Sequence, residues 1–120
     1  MITRDTFLKP LAVKKIEIEE LNDCIYVRRF SGTDRAAYLK KSVIVDGKDV
    51  NPNYEDLFEN MTRLVAMTLC DESGNRLFND SDEDLKLLNE QDAVILQKVY
   101  EESAKFNGLG ADAVKEAAKN

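Results

Sequence analysis

Asn53-Tyr54-Glu55-Asp56-Leu57-Phe58-Glu59-Asn60-Met61-Thr62-Arg63-Leu64-Val65-Ala66-Met67-Thr68-Leu69-Cys70-Asp71-Glu72-Ser73-Gly74-Asn75-Arg76-Leu77-Phe78 is the stretch on which the fold turns. Leu57, Phe58, Met61, Leu64, Val65, Thr68 and Leu69 recur at three- and four-residue steps and share one stripe of a helix. Pro52 cannot extend that helix backwards, and Asn53 sits where a cap oxygen is wanted. Glu55 and Asp56 put negative charge in the first turn, where unpaired N–H groups favour it. Asp71-Glu72-Ser73-Gly74-Asn75 is turn chemistry, and Leu77-Phe78 brings two apolar side chains back towards the helix. An isolated helix of this length is marginal in water. The rest of the chain therefore reads as what clamps it.

Before this helix, Ile16 and Ile18 alternate with Glu17 and Glu19, and Cys24-Ile25-Tyr26-Val27 with Phe30 continues as strand chemistry. With Leu21-Asn22-Asp23 between them, residues 13–30 predict a β-hairpin with one buried face. Residues 1–12 lack periodicity and contain Pro10, so Ile2, Phe7, Leu8 and Leu11 read as an extended arm lying over apolar surface. Ser31 or Thr33 offers a cap for a short helix from Arg35 that ends near Val43. Asp46 to Pro52 reads as a loop exposing partner-facing backbone, although the β-branched run Val43-Ile44-Val45 before Asp46-Gly47 also suits a strand.

After it, Ser81 with Asp84 three residues on approximates a capping box and predicts a two-turn helix over 82–88. Asn89 and Asp92 repeat the pattern and open a longer helix over 90–106, with Val94, Leu96, Val99, Tyr100, Ser103 and Phe106 as its stripe. Asn107-Gly108 ends it. The expected fold is α+β: an N-terminal β-hairpin packed on a small bundle of four to five helices. Residues 1–106 form one compact domain that includes the arm, and 107–120 form a short, frayed helical tail.

The chain has 120 residues, 43% hydrophobic and 33% charged, which suits one globular domain. Its longest run without a charge is Leu64 to Cys70, far short of a membrane span, and its first residues lack a signal-peptide core. A cytoplasmic location is expected. Residues 1–50 carry ten Lys/Arg against eight Asp/Glu, and residues 51–120 seven against fifteen, so the net charge of -6 belongs to the second half. That balance disfavours nucleic acid, and a protein partner fits better. Arg28, Arg29 and Arg35, beside Tyr26 and Phe30, read as strand arginines that reach solvent and pair with the acidic half.

Catalytic constellations fail one by one. There is no histidine, hence neither the commonest general base nor the commonest metal ligand. No glycine-rich phosphate loop, nucleophile elbow or Cys–base pair occurs. Asp71, Ser73 and Asn75 have calcium-loop spacing, but Arg76 stands where glycine is required and Asp82 where glutamate is. Cys24 and Cys70 read as two small buried apolar side chains. No enzyme activity, cofactor or metal is expected.

The order of these parts resembles the tail assembly chaperones of long-tailed bacteriophages across roughly residues 13–120. The resemblance rests on Tyr26-Val27-Arg28-Arg29-Phe30-Ser31-Gly32-Thr33-Asp34-Arg35, on the central helix with its acidic-glycine turn before Leu77-Phe78, and on the Phe106-Asn107-Gly108-Leu109 close. It implies a non-enzymatic helper, absent from the mature virion, that keeps the tail tape measure protein soluble and helps recruit the tail tube protein. It also implies a longer product made by programmed ribosomal frameshift, for which Ala118-Lys119-Asn120 can encode the slippery run A-AAA-AAC.

A holdase of this kind needs an apolar groove in an acidic body. Phe58, Met61, Met67, Leu77, Phe78 and Tyr100 are the candidate partner-binding residues, because methionine and aromatic side chains adapt to varied partners. Self-association is a further expectation. The competing class is a small prophage adaptor or regulatory module that binds a host factor.

Overall fold

The computed structural model describes residues 1–46, 49–52 and 57–109. The expected cap at Asn53, the acidic first turn at Glu55 and Asp56, and the turn glycine Gly47 lie outside them.

A single helical turn, α1 (Arg4–Phe7), precedes the hairpin of β1 (Val13–Ile18) and β2 (Asp23–Arg28). A 3₁₀ turn over Glu19–Leu21 joins the two strands, with Asn22 in the left-handed region at φ 51°. Helix α2 (Gly32–Ser42) follows, then β3 (Val43–Asp46) and β4 (Asp49–Pro52). The central helix α3 (Leu57–Thr68) runs straight into β5 (Leu69–Cys70), and α4 (Asp82–Asn89) and α5 (Ala93–Phe106) complete the described chain. The architecture is α+β.

Register explains which face of the hairpin is buried. Ile16 pairs with Ile25, Lys14 with Val27 and Ile18 with Asp23, so Ile16, Ile18, Ile25 and Val27 share one face. Ile16, Ile18 and Val27 are fully covered. Lys14, at the end of that face, reaches out to Glu102 on α5 at 3.3 Å. The pair grows into a three-stranded sheet ordered β1-β2-β5, with Tyr26 opposite Cys70 and Val27 opposite Leu69.

Helix α3 is packed from two sides rather than along one stripe. Val65 and Ala66 join the sheet, α4 and α5 in a core with Ile16, Ile18, Val27, Leu85, Leu88, Leu96 and Val99. Leu64 and Met67 face a second cluster with Tyr38 and Ala104, onto which Phe30, Tyr100 and Leu109 pack. Burial on both sides draws in Asn60, Thr62 and Arg63, which the stripe omitted, beside Thr68, which it included. Each makes side-chain hydrogen bonds, and only the Arg63 Nε among these residues' side-chain atoms is buried without a partner. The Thr62 hydroxyl donates to Asn89 Oδ1 at 2.6 Å, and Thr68 Oγ1 lies between the Leu64 carbonyl (2.7 Å) and the Ser103 hydroxyl (3.0 Å). Arg63 donates to Asn60 and Glu59.

Four expectations need correction. Asp46 to Pro52 is not a loop: Asp49–Pro52 pairs antiparallel with Val43–Asp46, so the β-branched run followed its strand propensity. The arm does not cover apolar surface: Thr3 caps a single turn, and Ile2, Phe7, Leu8 and Leu11 are exposed. The long helix starts at Ala93, because the Asp92 carboxylate accepts from the N–H groups of Val94 and Ile95 at 2.8 and 3.3 Å. Val94, placed on the buried stripe, is exposed, because at 100° per residue it falls on the face opposite Leu96, Val99 and Ser103. Residues 107–109 belong to the packed body, and 110–120 lie outside the described residues. Among those described, no helix is long and apolar enough to cross a membrane.

Candidate functional site

An open apolar groove of about 390 Å³ lies where the first half of α5 meets α4, the 3₁₀ turn and the sheet. Its floor is the underside of the larger core, and its outer lining is exposed Leu21, Leu87, Gln91 and Asp92 with half-buried Ile25, Phe78 and Ile95. Leu87 is 54% exposed and Leu21 51%.

Local structure fixes each wall. The Ser81 hydroxyl accepts from the Asp84 N–H at 3.3 Å, and the Asp84 carboxylate accepts from the Asn79 N–H at 2.7 Å, which starts α4 on a defined residue. Leu85 and Leu88 then face the core one turn apart, and Leu87, about 100° round the helix, cannot join them. The corner to α5 is held by Gln91, whose backbone N–H bonds the Leu88 carbonyl at 3.0 Å and whose side chain bonds the Leu87 carbonyl at 3.1 Å.

Phe78 is delivered by the acidic-glycine turn. The Asp71 carboxylate accepts from the N–H groups of Asn75 and Ser73, both at 2.9 Å, and the Asn75 carbonyl accepts from the Asp71 N–H. These bonds, led by the Asn75 N–H, hold the Asp71 carboxyl below its ordinary pKa. Gly74 takes φ +89°, and a Cβ there would stand 3.3 Å from Val13. The turn returns Leu77 to the Leu69 carbonyl at 3.2 Å, and Arg76 reaches the Phe78 carbonyl.

Of the six residues expected to bind a partner, Phe78 alone lines this groove. Met67 is buried in the second cluster, and Tyr100 is half-buried between the two clusters. Met61 is half-buried on α3, and Phe58 and Leu77 are exposed. Leu21, Ile25, Leu87 and Ile95 were not anticipated. The available signal was three leucines in the two turns of α4, more than one face accommodates.

The other end of α5 carries the arginine cluster. Arg29 Nε donates to the Phe106 carbonyl at 3.1 Å with its guanidinium 4.8 Å above the Phe106 ring, and Arg35 donates to the Asn107 carbonyl at 2.9 Å. Arg28 lies 3.5 Å from Asp34 and near the Gly74 carbonyl. The arginines thus serve helix-end carbonyls and one carboxylate of the first half, not the acidic second half, because the C-terminal end of a helix is itself negative. Both cysteines are free: Cys24 is half-buried, and burial pushes the Cys70 thiol up from its ordinary pKa. Among the described residues no group of three His, Cys, Asp or Glu could hold a metal ion.

Comparison with protein-family models, with curated proteins and with solved structures gives no match. The groove's geometry therefore carries the functional argument. Its lining is apolar apart from Gln91 and Asp92, and it offers a place for apolar side chains.

Proposed function

We propose that the protein is a tail assembly chaperone of a long-tailed bacteriophage, acting without catalysis in the host cytoplasm. It binds apolar helix faces of the tape measure protein, keeps that protein soluble and helps bring tail tube subunits to it. The carrying observation is the groove itself, with Leu21 and Leu87 exposed at its mouth and Asp92 the one charged residue of its lining. Such a surface suits an amphipathic helix whose apolar side chains enter the groove. The sequence resemblance supplies the identity of the client.

The test is co-expression of this chain with the tape measure and tube proteins that this reading requires its genome to encode. The tape measure protein should remain soluble and co-purify with the wild-type chain, and both effects should fall about tenfold for Ile95→Asp. A tape measure protein equally soluble without this chain, or one that never co-purifies, would sink the reading.

A further inference from the structure

Strand β1 lies at the edge of the three-stranded sheet, with β2 on one side and no strand among the described residues on the other. The bond from the Arg29 N–H to the Ala12 carbonyl, at 2.9 Å, fixes which of its backbone groups are used. Ala12 and Arg29 continue the register of the hairpin, so the pairs Lys14–Val27, Ile16–Ile25 and Ile18–Asp23 are the ones that exchange bonds with β2. The N–H and C=O groups of Val13, Lys15 and Glu17 therefore point away from β2. Among the described residues no hydrogen bond reaches them. Such a row of open backbone groups is a template for another strand.

The chain's own arm does not take this edge. The N–H groups of Phe7, Leu8 and Lys9 bond back to the carbonyls of Thr3, Arg4 and Phe7 around the single turn of α1, and Pro10 has no N–H to give. What fits the edge is written in β1 itself. Two copies related by a two-fold axis pair these edges antiparallel, and only the outward groups of Val13, Lys15 and Glu17 can then bond across the axis. An axis centred on Lys15 sets Lys15 against Lys15, and one centred on Glu17 sets Glu17 against Glu17, so both registers are repulsive. Centred on Ile16, the axis sets Lys15 opposite Glu17 on both sides of it and Ile16 opposite Ile16 on the core face. Both charged side chains are open to such an exchange, Lys15 at 56% and Glu17 at 75% exposure.

We infer that two copies of the protein associate through their β1 edges in this register, joining their sheets into one antiparallel sheet with both cores on the same side. Each Lys15–Glu17 pair exchanges its backbone N–H···O bonds across the axis and adds an ion pair, in place of the 3.6 Å contact that Lys15 makes with Glu17 of its own chain. The partner is thus a second copy of this chain, chosen by charge and by hydrogen-bond parity together. The inference goes beyond the chaperone reading and does not rest on it.

Sedimentation of the full chain over a concentration series up to about 1 mM tests it without any client. The wild-type chain should associate. Lys15→Glu brings two carboxylates together on each side of the axis and Glu17→Lys two ammonium groups, so each variant alone should associate about tenfold more weakly or worse. Mixed in equal amounts, the two variants restore opposite charges at both pairs and should form a heterodimer of wild-type strength. The double variant Lys15→Glu/Glu17→Lys should also associate as wild type does, and all three should keep the wild-type circular dichroism spectrum, because both positions face solvent. A wild-type chain that stays monomeric throughout the series overturns the inference. So do single variants that associate like wild type, or a mixture that stays as weak as its components, as it would if the chain's own arm occupied the edge.

Discussion

The two ends of α5 are built from similar residue types and solve opposite problems. At its C-terminal end Asn107 is buried and makes three side-chain bonds: it accepts from the Phe30 N–H at 2.7 Å and donates to the carbonyls of Ser103 (2.9 Å) and Arg28 (3.3 Å). Gly108 turns left-handed at φ +69°, its N–H bonds the Lys105 carbonyl, and the Leu109 N–H returns to the Ala104 carbonyl at 2.7 Å. Leu109 then packs on the second cluster. At the N-terminal end the Asp92 cap and the two Gln91 bonds fix the backbone, while Leu21 and Leu87 beside it are exposed. Directional bonds hold one end in place. The other end is capped as well, yet leaves apolar side chains uncovered.

This contrast predicts where substitution costs stability. Asn107→Ala should have the largest effect, about 2–4 kcal/mol by urea denaturation, because it strips the partner from the Phe30 N–H inside the body. A loss below about 1 kcal/mol would mean that water enters and the end is not tightly held.

Alkaline pH probes the same region less severely. Burial, with the neighbouring Tyr100 adding to it, pushes the Tyr38 phenol from 10.0 up to about 12. The folded state therefore holds its proton more tightly than the unfolded chain. The associated stability is fully present below pH 10, and it is lost as pH rises through 12. Between about pH 9 and about pH 11.5 the wild-type chain should lose roughly 1–2 kcal/mol more than Tyr38→Phe does. Equal losses in the two proteins would remove Tyr38 from the account.

How much of this contrast could be read from the residues differs between the two ends. Phe106-Asn107-Gly108 ends a helix by local chemistry, and local chemistry is what sequence carries; the hairpin and the Ser81 cap were legible for the same reason. What sequence could not supply was the number of sides on which α3 is packed. A period marks one apolar stripe, and Thr62 and Arg63 look solvent-facing until Asn89 and Glu59 arrive from elsewhere in the chain or helix. The groove suffered the same blindness. Methionine and aromatic content pointed to Met67 and Tyr100, which the tertiary fold consumed, while Leu21 and Leu87 gained their meaning only when α4, α5 and the hairpin turn converged.

Gly108→Ala is the next smaller perturbation and isolates backbone conformation. An added Cβ there meets nothing within 4 Å, so the whole cost is that of an L residue at positive φ, about 1 kcal/mol. A loss several times larger would show the end of α5 to be strained by packing as well as by φ.

The smallest expected change is the one that most sharpens the comparison. Leu87 and Leu88 are neighbours in one helix, yet Leu88 is 4% exposed and Leu87 is 54% exposed. Leu87→Ala leaves no cavity in the core, and its stability in the isolated, dilute chain should stay within about 0.5 kcal/mol of wild type. Were the groove merely an imperfectly packed part of the core, Leu87→Ala would loosen Ile95 and Phe78 and cost well over 1 kcal/mol. A near-zero value separates an open apolar surface from a core left unfinished.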